Sequence, residues 1–113
     1  MPTNHPAPIQ IDARDWCEVR RILHQKVPQL EVWAFGSRAR HTAKPYSDLD
    51  LAVITEQPLS LAQLADIKDA FDSSDLAIRV DVVDWAATSD AFRQFIAQDK
   101  VVVQKRGHGA TKI

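Results

Sequence analysis

Cysteine is almost missing from this sequence: Cys17 stands alone among 113 residues. A single thiol excludes an intrachain disulfide and a cysteine-rich metal site. It fits a reducing cytoplasm, with the thiol expected as a small buried group. Long apolar runs are missing as well, so no stretch is long enough to span a bilayer, and no membrane association is expected. Charge of one sign is not in excess: 14 Lys and Arg stand against 15 Asp and Glu, a net charge of -1. Without a concentrated basic face, direct nucleic-acid binding is not expected. The phosphate-binding pattern GxxxxGK[ST] is absent, and the histidines have no metal-ligand spacing. Internal repeats and low-complexity segments are absent too.

What is present is an ordinary globular composition, 45% hydrophobic and 26% charged, in a length suited to one domain around one core. Residues 1–11 carry three prolines, Pro2, Pro6 and Pro8, and lack the basic and apolar regions of a signal peptide, so they read as a loose arm. Residues 105–113 have no periodicity and read as a loose tail. The domain is expected over 12–104.

Within it, Trp16, Val19 and Leu23 recur at helical spacing behind Asp12, predicting a helix over 13–25 that ends before Pro28. Residues 30–35, LEVWAF, read as a strand stopped by Gly36, with a short helix starting at Ser37. A buried strand is expected over 49–54 and a helix capped by Ser60 over 61–71, with Leu64, Ile67 and Phe71 on one face. A third strand is expected over 78–85. A helix then follows a cap at Thr88 or Ser89 and carries Phe92, Phe95 and Ile96, and 101–103 can add an edge strand. This order makes a small three-layer or two-layer α/β domain, in which helices on one sheet face would cover the three apolar runs. Trp16, Trp33 and Trp85 are read as packing residues rather than nucleotide stackers.

The chemistry concentrates in FGSRARHTAKPYSDLDL, residues 35–51. Asp48 and Asp50 are two apart in a strand, so they share a face at roughly 6.5 Å along the chain while Leu49 and Leu51 point into the core. Side-by-side oxygen ligands with no fixed local cation suit Mg²⁺, which takes one or two carboxylates and fills its shell with water and phosphate oxygens. The Gly36-Ser37 turn lets backbone amides and a hydroxyl approach an anion, which matches a polyphosphate. Arg38 and Arg40 are either phosphate-neutralising groups or solvated helix residues. Asp81 sits in the third strand, and from a neighbouring strand it can complete a three-carboxylate set for two Mg²⁺ ions and an in-line phosphoryl or nucleotidyl displacement. Asp84 competes for that place, but three residues on it faces the other side of the strand, so an outer or capping position is expected for it.

These residues resemble the minimal nucleotidyltransferase family of the DNA polymerase beta superfamily, whose pattern is a Gly-Ser turn, a small residue, an Arg and then Ser-Asp-x-Asp. Gly36, Ser37, Ala39, Arg40, Ser47, Asp48, Asp50 and Leu51 match it, and Val80-Asp81-Val82-Val83 matches the strand of the third carboxylate. The likeness runs from about 15 to 95. It departs at His41, where the family commonly has Gly; His41 is read as an exposed loop residue, as is Tyr46. The resemblance implies an α+β fold, a small mixed β-sheet flanked by helices. It implies transfer of a nucleoside monophosphate to a hydroxyl, with Asp48, Asp50 and Asp81 as metal-binding catalytic residues. Gly36, Ser37, Arg38, Arg40 and Ser47 are its expected nucleotide-binding set.

Larger relatives hold their acceptor on added domains, and this sequence has no room for one. The stand-alone members that it looks like are antitoxins paired with a HEPN-domain ribonuclease toxin. For them the family implies a hetero-oligomer in the cytoplasm and AMP transfer from ATP to a toxin tyrosine. A non-catalytic antitoxin acting by occlusion, or a small-molecule nucleotidyltransferase of the aminoglycoside type, are the alternatives.

Overall fold

Trp16, Val19 and Leu23 form the buried stripe of helix α1 (Ala13–Lys26) in a computed structural model that describes residues 7–106. Asp12 caps it, its carboxylate accepting the Arg14 N–H at 2.8 Å. Strand β1 (Glu31–Phe35) follows and runs through Gly36 into a one-turn helix, α2 (Ser37–Arg40). Strand β2 spans Leu49–Ile54 and leads to helix α3 (Leu61–Asp72). There Ser60 and Gln63 satisfy each other's backbone N–H groups in a capping box. Strand β3 (Val80–Asp84), a 3-10 turn (Trp85–Ala87), helix α4 (Asp90–Gln98), capped by Ser89, and strand β4 (Val101–Gln104) complete the order.

The strands form one four-stranded sheet in the order β3-β2-β1-β4. β1 is antiparallel to both neighbours, whereas β2 and β3 are parallel, with α3 as the crossover that a parallel pair requires. The fold is therefore the expected α+β arrangement around a mixed sheet. Helices cover both faces, which makes it the three-layer form of the two expected. Leu49, Leu51 and Val53 of β2, with Val32, Ala34, Val80 and Val82, pack against α1 and α3. Phe35, Ala52 and Ile54 face the other way, where Ile96 of α4 seals them together with Trp33, Val83 and Trp85. A strand buried at both Leu51 and Ala52 needs cover on both sides. Asp50, two residues before Ala52 on the same face, is half-buried, and this end of the sheet is where the acidic residues stand.

Several local expectations change. Ile9 is buried in the main core and Gln10 is hydrogen-bonded to the domain, so the arm expected to be loose is packed over 7–11. Residues 1–6 and 107–113 of the expected arm and tail lie outside the described residues. Cys17 is exposed rather than buried, because one step along the helix turns it about 100° from Trp16 and off the apolar stripe. β3 begins at Val80, later than its apolar run suggested. Of the three apolar residues expected to anchor α4, only Ile96 is buried; Phe92 and Phe95 stack on each other and meet Phe35 edge-on while remaining 37% and 50% exposed. The tryptophans do pack: Trp33 and Trp85 meet edge to face at 5.0 Å, and Trp16 is buried.

Candidate active site

Alternation along β2 and β3 assembles the site. Val80, Val82 and Asp84 turn to the core side of β3, leaving Asp81 and Val83 on the opposite face. In the parallel pairing Asp50 stands directly opposite Asp81, and on its other side Asp50 pairs with Phe35 of β1. Asp48 lies just before β2, two residues from Asp50. Asp50 and Asp81 are thus neighbours on one sheet face, and the charge of Asp48 acts on Asp50 from just ahead of the strand.

Their mutual repulsion is visible in Asp50. Burial pushes its carboxyl above the usual carboxylate range, and the negative charges of Asp81 and Asp48 push it further the same way. The nearest cation to Asp81 is Arg79, whose Nη2 lies 3.5 Å from Oδ1 on a largely exposed side chain, a weak pairing. Arg79 was not singled out from the sequence, although its place two residues before Asp81 on the same strand face was readable.

Gly36 forms the wall of the site. Its φ of 81° and ψ of -159° lie in a region reserved in practice for glycine. A Cβ placed there would meet Asp50 Oδ2 at 2.6 Å. The turn thus brings bare backbone against the acidic cluster, and Ser37 opens α2 from the same point.

The two arginines separate. Arg40 is exposed and lies 3.5 Å from Asp99, the residue that ends α4. Arg38 does not face a phosphate site: it is 6% exposed and donates to the backbone carbonyls of Gln10, Lys44, Pro45 and Ser47. Its expected place among the nucleotide-binding residues is corrected to an internal brace, because a guanidinium carries enough donors to satisfy several carbonyls at once. Ser47 likewise closes its own loop, its hydroxyl accepting the Lys44 N–H at 2.9 Å. Asp84 is buried and accepts from the Thr55 hydroxyl and the Leu59 N–H, the outer position expected for it. His41 is an exposed residue in the left-handed region, φ 61° and ψ 38°, which explains why glycine suits that place.

Among the described residues no three His, Cys, Asp or Glu side chains already enclose a metal position. The donor set nonetheless suits a hard divalent cation: it offers oxygen only, and its central member gains from a nearby positive charge.

Over residues 18–108 the chain matches the family described as polymerase beta nucleotidyltransferase, a class that works on nucleotides with divalent metal. It is 48% identical over 100 residues, 88% of each chain, to the probable protein adenylyltransferase MntA of Haemophilus influenzae. Among solved structures it resembles a toxin-antitoxin complex with AMP-PNP at a TM-score of 0.68 and 22% identity, covering 83% of this chain and 76% of that one. It also resembles the complex of a tri-AMPylated Shewanella oneidensis HEPN toxin with its MNT antitoxin, at a TM-score of 0.61 and 18% identity over 85% of this chain and 74% of the other. At those identities the structural likeness is one of fold.

Proposed function

The chain belongs to the polymerase beta nucleotidyltransferase family, and from that premise we propose that it is the antitoxin of a toxin-antitoxin pair. In this reading it transfers AMP from ATP to a tyrosine hydroxyl of a HEPN ribonuclease partner and so silences it. The observation that carries the reading is the pairing of Asp50 with Asp81 on neighbouring strands, with the bare backbone of Gly36 against the Asp50 carboxylate and Asp48 two residues ahead of it. The named activity of the Haemophilus relative supports the choice of AMP and of a protein acceptor. The AMP-PNP-bound and AMPylated complexes of similar fold support the choice of partner.

Asp48, Asp50 and Asp81 are the residues that would hold two magnesium ions. Bound there, magnesium supplies positive charge that offsets both the carboxylates and the triphosphate. The remaining work falls to the chain. Gly36, having no side chain, lets bare backbone lie directly against the Asp50 carboxylate, and Ser37 adds a hydroxyl beside it. Asp81 stands on β3, an edge strand of the sheet, and is half exposed, open to an acceptor arriving from outside. It accepts the proton of the tyrosine hydroxyl as the new oxygen-phosphorus bond forms at the α-phosphate and the bond to the leaving pyrophosphate breaks. Arg40 can swing from Asp99 toward the leaving group.

No helix among the described residues is long and apolar enough to cross a membrane; the cytoplasm is the proposed place of action. The test is intact-mass spectrometry of the HEPN partner after co-expression. Wild-type protein is expected to add one or more AMP units, and the Asp48→Ala/Asp50→Ala variant none. An unmodified partner held in a tight, inactive complex would overturn enzymatic transfer in favour of occlusion.

A further inference from the structure

The loop over 41–47 delivers Asp48 to the site, yet it has almost no apolar anchor of its own. His41, Thr42, Lys44, Pro45 and Tyr46 are exposed, Tyr46 at 93%. Besides the local bonds between Lys44 and Ser47 and from Thr42 N–H to Ser37 O, its shape is held by polar bonds from two residues outside it. One is Arg38, whose Nε donates to Ser47 O at 3.0 Å and whose Nη2 lies 3.2 and 3.4 Å from the carbonyls of Pro45 and Lys44. The other is Gln10, in the N-terminal segment. The Gln10 carboxamide donates to Ala43 O at 3.1 Å and accepts the Ala43 N–H at 2.9 Å, gripping one loop residue from both sides. Gln10 is itself fixed to Arg38 through its backbone: its N–H donates to Arg38 O and its carbonyl accepts from Arg38 Nη1, both at 2.9 Å. Beside it, Ile9 is sunk in the core at 3% exposure.

We propose that Gln10 and Arg38 are positioning residues for nucleotidyl transfer, a strap and brace that hold the 41–47 loop so that Asp48 stands in register with Asp50. The proposal rests on the reading of the carboxylates given above. The family match begins at residue 18, so the strap lies ahead of the matched residues. Partners one step behind a ligand commonly govern its effect because they fix its orientation.

The test compares wild type with Gln10→Ala, and with Arg38→Lys as a second variant whose single ammonium cannot serve all the carbonyls of the guanidinium. Three readouts are taken on the isolated protein: hydrogen-deuterium exchange over 42–47, manganese affinity by calorimetry, and the melting temperature. A fourth is the rate of partner AMPylation. For Gln10→Ala the Ala43 amide is expected to exchange faster, and manganese affinity to fall by about 10- to 100-fold, with kcat for the partner falling and its KM unchanged. The circular dichroism spectrum stays native. A loosened loop with wild-type manganese affinity overturns the proposal, as does unaltered exchange in both variants, or a wild type that binds no manganese. If the wild type leaves the partner unmodified while Gln10→Ala still weakens manganese binding, the transfer reading fails and the positioning role stands.

Discussion

His41 occupies a conformation that most side chains avoid. Its φ of 61° closes α2, with its own N–H and that of Thr42 both donated to Ser37 O. A residue with a Cβ in this region is strained by about 1–2 kcal/mol, although His tolerates it better than branched residues. The exposed imidazole is given no bond among the described contacts to offset that strain. Replacing His41 with Gly removes it, while the greater freedom of Gly in the unfolded chain returns part of the gain. The expected net effect is a stabilisation of about 0.5–1 kcal/mol, read from the denaturant midpoint, with partner AMPylation unchanged. A fall in activity in His41→Gly would assign the imidazole a chemical role. Gly36 differs in kind, since there the missing Cβ is a matter of space as well as angle, with Asp50 Oδ2 2.6 Å from where the Cβ would be.

At the scale of elements, two aspartates of one strand have opposite duties. Asp84 ends β3 facing inward and ties it to the segment after β2 through the Thr55 hydroxyl and the Leu59 N–H, just ahead of α3. Asp84→Ala leaves both donors without an acceptor and is expected to cost about 2–3 kcal/mol in urea denaturation, with AMP transfer retained below the melting temperature. Asp81→Ala should do the reverse, sparing stability and losing transfer; equal losses of stability would refute the division. That division was readable from the sequence, because alternation in a strand fixes which residues share a face. The position of Asp81 opposite Asp50 was not, because it depends on β2 and β3 pairing in parallel at one register. Strand β2 and helix α3 were legible with nearly their observed bounds, one from a continuous apolar run and the other from its Ser60 cap. Arg38 was misread because sequence gives a residue's charge but not its burial, and its carbonyl partners come from Gln10 and from a loop up to nine residues away. Periodicity placed Phe92, Phe95 and Ile96 on α4 but could not say that the sheet beneath covers only Ile96.

Across the whole molecule, a nearly neutral chain has gathered acidic residues at one end of its sheet. The folded state is destabilised by that arrangement when no cation is present. Among the described residues the Asp50 carboxylate accepts no hydrogen bond that would offset its burial and the charges of Asp81 and Asp48, so its carboxyl lies above the usual range in the folded protein. A carboxyl with a raised folded pKa binds its proton more tightly folded than unfolded. At neutral pH the group therefore subtracts stability, and this loss disappears as pH falls through the folded pKa toward the unfolded value of about 3.9. Asp50→Asn keeps the shape without the charge. Metal-free Asp50→Asn is accordingly expected to melt above wild type at pH 7, with the gap closing as the pH approaches 4. Magnesium should raise the melting temperature of wild type by binding the folded state alone, and raise that of Asp50→Asn much less. Melting curves of both proteins across that pH range, with and without magnesium, check each sign. A gap that widens on acidification, or magnesium stabilising both proteins alike, would show that the three carboxylates do not act as one charged unit.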